Sequence, residues 1–294
     1  LAPVALGLPV IGGGLVVGLP VALAIGLGAV AMAPSPSLLE ASTRGRLIAD
    51  RRAFQLLRLV MAFAGMPALI VFAFAAALAS PLTEAGGGAV PTWQLVTITA
   101  AVGLLIGYAM VVLTRGVTEH MRLLTLAAGT MCLVAGSSAV LGVSALPAAA
   151  CAGAVLVNRS VFPNRMLRVA HSLERPMLVA LLVLVGASWQ GASFSFAAFG
   201  LLTIGRTIVA LIVGEVVIRS ARRRRRAPRS PVFGIGFLPQ GELALGLLVA
   251  IISFFPGTPG VLEAVVAAII VNNLIGGWWI RRRPDLRSHH EAEP

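Results

Sequence analysis

Apolar stretches separated by short connections containing Arg, Gly or Pro run the length of the chain, and splitting it at those connections gives ten segments. They lie near 1 to 17, 21 to 40, 53 to 80, 92 to 114, 123 to 143, 146 to 158, 176 to 190, 194 to 219, 231 to 254 and 261 to 280. At about 1.5 Å of rise per residue, a helix of about 23 residues reaches about 35 Å, enough to cross a hydrocarbon core about 30 Å thick. The pattern predicts an all-α, polytopic membrane protein of about ten transmembrane segments. The segments at 146–158 and 176–190 are short, and each is expected to be broken, re-entrant or buried among its neighbours.

Composition sharpens this reading. Of 294 residues, 58% are apolar and 12% charged, with a mean hydropathy of +0.94. A soluble domain carries roughly 45–50% apolar residues and about a quarter charged ones, so a soluble enzyme is excluded. A net charge of +12 would suggest nucleic acid as a partner in a soluble protein. Here the basic residues, all Arg, are distributed in a way that removes that reading. Twenty-two of the 23 fall in, or within six residues of, the connections after segments two, four, six, eight and ten, and the intervening connections hold none. Strict alternation is what the positive-inside rule requires of a correctly counted set of spans, and it puts those connections and the C-terminus in the cytoplasm. The run Arg222 to Arg226 then reads as a topogenic loop with some affinity for anionic lipid, and no nucleic-acid partner is called for. Cys132 and Cys151 lie in apolar runs, so neither a disulfide framework, a metal site nor a cofactor is indicated. His120, His171, His289 and His290 all fall in connections or the tail, which excludes a membrane-embedded His relay. Because the chain opens with Leu, it is expected to be a fragment or excised domain.

One Arg does not fit the topogenic set. Arg206 stands in mid-segment in FGLLTIGRTIVALIVG, where a charge costs at least about 2.5–3.5 kcal/mol. It has either a functional role or a compensating one, opposite a carboxylate or the carbonyl end of a broken helix.

Two segments carry strong helix breakers. Segment two holds Pro34 and Pro36 around Ser35, and each Pro removes an amide hydrogen and crowds the preceding turn. Segment nine holds Pro239 and Gly241. By the derived orientation the two run antiparallel, and each is the middle of three consecutive segments, as inverted repeats require. Interrupted segments at corresponding places in two halves point to a transporter's midplane binding site. Their ends carry partial charges, negative where a half-helix finishes and positive where one starts. Glu242 directly follows the second break. Other acids fit less well: Glu215 lies four residues before Arg219, Glu263 near the external boundary, and Glu84 in an external loop.

With these residues in view, the chain resembles the monovalent cation:proton antiporter superfamily, the sodium/hydrogen exchanger domain. GAVAMAPSPSLLEASTRGRL resembles that family's first unwound helix. GAVLVNRSVFPNRMLRVAHSLERPMLVALLVLVGASW is similar to the stretch that ends one helix in Asn and resumes with a Glu-Arg-Pro-like start. RTIVALIVGEVVIR followed by GFLPQGELALGLLVAI resembles the Arg-bearing helix and the second unwound helix, and VNNLIGGWWIRR the last helix. The resemblance implies an exchanger of sodium or potassium for protons in a bacterial cell membrane, and a homodimer as the usual assembly. It also implies a transmembrane domain over 1–280 followed by a cytoplasmic basic tail, 281–294.

Two departures matter. The family has twelve or thirteen helices, so ten imply that two or three are missing from the N-terminus, largely those forming the dimer panel. And where its ion-binding Asp is expected, the matching stretch RLVMAFAGMPALIVFAF offers Gly65, Met66 and Pro67. Exchange needs a group that holds either a proton or a cation, which a guanidinium does not. Glu242 is then the remaining carrier near the midplane, with Ser35 and the carbonyls of Ala33, Pro34, Leu238 and Pro239 as neutral oxygen ligands suited to a hard cation. A rival arrangement closes Glu242 and Arg206 into a structural ion pair, making the chain a non-transporting scaffold or sensor. A third class, a channel or lipid-binding protein, rests only on the Gly pattern at Gly14 to Gly18, which more often marks close helix packing.

Overall fold

Apolar sequences this long satisfy their backbone polar groups in lipid only as helices or closed barrels, and this chain uses helices. The computed structural model describes residues 2–43, 51–80, 82, 90–117, 119–160, 163–189, 191, 194–212, 237–255, 258 and 260–282, and every regular element among them is helical. In order they are α1 (Ala2–Val16), α2 (Val21–Ala31), α3 (Pro36–Thr43), α4 (Arg51–Leu78), α5 (Thr92–Leu113), α6 (His120–Val140), α7 (Ala145–Arg159) and α8 (Pro163–Ala187). There follow α9 (Phe196–Ile212), which contains a π-helical turn at Leu201–Gly205, then α10 (Glu242–Phe254) and α11 (Val261–Arg282). Six stretches are long and apolar enough to cross a bilayer: Val21–Leu39, Arg58–Leu78, Thr92–Leu113, His120–Val140, Asn164–Ala187 and Val261–Trp279. Four more helices, Val4–Val16, Ala145–Arg159, Phe196–Ile212 and Glu242–Phe254, are apolar but shorter. The protein is a polytopic membrane protein.

The two short segments differ from expectation. The one placed at 176–190 is the second part of α8, a continuous 25-residue helix that carries Pro176 inside it. Arg165, Arg168 and Arg175 ride on its first half and do not form a loop. The one placed at 146–158 is α7, unbroken over 15 residues.

The chain divides into two compact units. The first comprises Leu1–Ala68, Gln190–Leu248 and Gly257–Pro294; the second comprises Leu69–Trp189 and Val249–Pro256. In lipid, helix association relies on close van der Waals contact and interhelical hydrogen bonds, which favours small residues at contacts. The first unit shows this between α1 and α2, where a Cβ on Gly7 would stand 2.8 Å from the carbonyl of Gly28. Buried residues Leu23, Ala24 and Gly26 to Ala31 leave α2 enclosed on most sides, which is why its sequence is apolar all round. A cluster of Leu6, Leu39, Met61, Ala210, Phe237 and Leu238 packs around the interrupted segments.

The second unit uses the same device. Gly103 and Gly107, one turn apart on α5, lie against the backbone of Ala148 and Ala152 on α7; a Cβ on Gly107 would be 2.7 Å from the Ala152 carbonyl.

Candidate functional site

The break predicted in segment two forms, and the irregular stretch that precedes α10 meets it within the first unit; the part of segment nine before Phe237 lies outside the described residues. Helix α2 stops at Ala31, residues 33–35 have no helical structure, and Pro36 opens α3. Pro at the first helical position is well placed, since its missing amide hydrogen would have no intrahelical partner there. Ser35 caps α3, its Oγ accepting from the Leu38 amide at 3.3 Å. On the other strand of the crossing, residues 238–241 are irregular and Glu242 begins α10, whose first complete turn is closed by the Leu245 amide on the Gly241 carbonyl. The Ser35 amide donates to the Pro239 carbonyl at 2.8 Å, a main-chain bond joining one break to the other. Gly241 lies directly on Ser35: a Cβ there would stand 2.7 Å from the Ser35 Cβ.

The acid sits at this junction. Ser37 Oγ donates to Glu242 Oε1 at 2.8 Å, Ser35 Oγ and Ser37 Oγ are 2.8 Å apart, and Ser35 Oγ reaches Oε2 at 3.5 Å. Each hydroxyl has one proton, so the strong donations run from Ser35 to Ser37 to the carboxylate, and the 3.5 Å contact is secondary. Position in the first turn of α10 adds the favourable interaction of a negative charge with a helix N-terminus. The result is a half-buried carboxylate with two hydroxyl oxygens beside it, an oxygen set that a hard monovalent cation or a proton can occupy in turn.

Arg206 is fully buried. It does not pair with Glu242. Its guanidinium donates to the carbonyl of Ala31, at the end of α2, and to that of Phe237, just before the second irregular stretch, the latter at 2.6 Å. The Ala31 carbonyl is one that the end of α2 leaves without an intrahelical partner, and a fork of donors on one planar group reaches both acceptors. The rival Glu242–Arg206 ion pair does not form, because the carbonyls of Ala31 and Phe237 hold the guanidinium. The Pro239 carbonyl, expected among the free neutral ligands, is used by the Ser35 amide.

A second bracing network was not anticipated. Gln240, 1% exposed, donates through Nε2 to the Val30 carbonyl at 2.9 Å and accepts through Oε1 from Asn272 at 3.0 Å. Asn273 grips the Gln240 main chain in both directions, accepting from its amide at 2.7 Å and donating to its carbonyl at 2.9 Å. Asn272 also donates to the Leu202 carbonyl, in the π-helical turn of α9, at 3.2 Å. The irregular stretch before α10 is thus fixed to α2, α9 and α11 by amide side chains. The available sequence signal was simply the presence of Gln and paired Asn inside apolar runs, where such side chains need partners.

Other sequence-predicted residues lie apart. Gly65 packs against Leu243, its would-be Cβ 3.0 Å from that side chain, and Met66 is exposed. Glu263 is buried in the first turn of α11 and accepts from the Gly191 amide at 3.4 Å. Glu84, Glu215, Arg219, Arg222 to Arg226, His289, His290 and most of the basic tail lie outside the described residues. Among the described residues no cluster of His, Cys, Asp and Glu forms a metal-holding group.

A family model for the transmembrane part of sodium/hydrogen exchangers matches residues 1–282. A search of curated proteins finds no match.

Proposed function

Since the chain belongs to the sodium/hydrogen exchanger family, a family of cation:proton exchange transporters, we propose that it is a secondary antiporter exchanging sodium or potassium for protons by alternating access. The observation carrying this reading is the Glu242 carboxylate held where the interruption between α2 and α3 meets the irregular start of α10, with Ser35 and Ser37 beside it. Glu242 is the group that exchanges a proton for the cation. Ser35 and Ser37 supply neutral oxygens to the bound cation. Arg206 supplies no mobile proton; it bonds the carbonyls of Ala31 and Phe237 and leaves Glu242 without a paired guanidinium. The Arg distribution supports a cell-membrane orientation with the C-terminus in the cytoplasm, and a homodimer in the lipid bilayer is the assembly the family implies.

The test is exchange in proteoliposomes carrying a pH-sensitive dye. Sodium or potassium pulses are expected to move protons across the membrane, and Glu242→Gln is expected to abolish the response. Full activity in that variant would remove Glu242 as the carrier. One observation favours a second reading, a non-transporting scaffold or sensor: on α4 beside Leu243 stands Gly65, with no acid to join Glu242. Absence of any cation-driven proton movement by the folded protein would select it.

A further inference from the structure

Beside the turn between α6 and α7, in the second unit, lies a partly open cavity of about 230 Å³ that the exchange site does not use. Two buried hydroxyls line it, Ser138 at 0% exposure and Ser144 at 4%, and neither Oγ has a hydrogen-bond partner. The sequence explains why both are free. Ser137, and not Ser138, folds back onto the Val134 carbonyl, at 3.1 Å. Ser144 is the N-cap of α7, where a serine normally accepts from the third helical amide, but that position is Pro147 and has no N–H. Ser253 of α10 also lines the cavity; its proton is committed to the Ala250 carbonyl at 2.7 Å, which leaves lone pairs to accept.

The chemistry selects the occupant. Among the described residues no charged side chain lines the cavity, so an ion of either sign would lack a counter-charge there. Three of the last four carbonyls of α6, those of Ser137, Ser138 and Ala139, are already taken by the amides of Leu141, Val143 and Gly142. What remains is hydroxyl groups that both donate and accept, and the matching ligand is one that does the same. We propose that this cavity is a hydration site, a pocket in which ordered water joins Ser138, Ser144 and Ser253 at the end of α10 remote from Glu242. Its volume has room for several molecules at about 30 Å³ each.

Cysteine accessibility tests it. In a Cys132→Ser, Cys151→Ser background in lipid nanodiscs, where both faces are open, Ser138→Cys and Ser144→Cys are treated with a charged methanethiosulfonate reagent. Ionisation of a thiol needs water, so both are expected to react at least about tenfold faster than Leu133→Cys on the exposed apolar side of α6. Rates no faster than that control would mean a dry pocket and overturn the proposal. A second readout does not depend on the reagent. If water bonds both hydroxyls, the double variant Ser138→Ala, Ser144→Ala melts at a lower temperature than the parent; an unchanged or raised melting temperature would show that nothing bonded them.

Discussion

Replacing Gly241 by Ala probes the contact on which the site depends. The added methyl would stand 2.7 Å from the Ser35 Cβ and closer still to its Oγ. The hydroxyl can rotate away, but the Ser35 Cβ cannot, because its backbone is tied to the Pro239 carbonyl. One of the breaks must therefore shift. Overpacking of this kind costs about 1–3 kcal/mol. The loss should be recovered by removing the atoms that are struck, so Gly241→Ala combined with Ser35→Gly is expected to be more stable than the two single changes predict, with a coupling of about 0.5–3 kcal/mol. Thermal unfolding of the four proteins in one detergent gives the cycle, and proton exchange on the same samples shows whether the site follows. The reasoning fails if Gly241→Ala matches the parent, or if the two changes simply add.

Three other outcomes follow from the same structure. Arg206→Lys keeps the charge but offers no planar fork, so one of the two carbonyls is stranded and stability should fall by about 1–3 kcal/mol; a variant as stable as the parent would mean that one donor suffices. Ser37→Ala removes a hydrogen bond to a charged group, of a kind worth about 1.5–3 kcal/mol, and should raise the apparent KM for the cation about tenfold or more, whereas an unchanged KM would exclude the hydroxyl from the ion site. Gly107→Ala should destabilise by about 1–3 kcal/mol because of the Ala152 backbone, while Gly129→Ala on α6, with nothing within 4 Å, should be neutral or gain about 0.5–1 kcal/mol; equal effects in a thermal melt would contradict the tight α5–α7 contact.

Which features could be read in the sequence follows from what each interaction leaves in it. A proline cannot donate a backbone hydrogen bond wherever it sits, so the breaks at Pro34, Pro36 and Pro239 were visible directly. Yet Pro67 and Pro176 lie inside unbroken helices, because a single proline in a long helix costs few bonds. Arg206 was conspicuous as a charge in an apolar run, but its partners are carbonyls, and every residue has one. Glu242 stands next to its helix breakers in the sequence itself; Ser37, two positions beyond Ser35, carries no such signal, because only the meeting of the two irregular stretches makes it a neighbour of the acid. The start of α8 was misplaced for a different reason. Arg165, Arg168 and Arg175 look like a loop when hydropathy is averaged, although helices readily carry arginine at their ends.

The bond from the Ser35 amide to the Pro239 carbonyl belongs to the polypeptide itself and to no side chain. Substitution at either position leaves it in place, with one exception: proline at 35 would delete the donor. The joint between the two irregular stretches is thereby independent of the side chains at positions 35 and 239, while the groups around it are free to be exchanged. A lineage could swap acids, hydroxyls or amides beside it and keep the same main-chain knot.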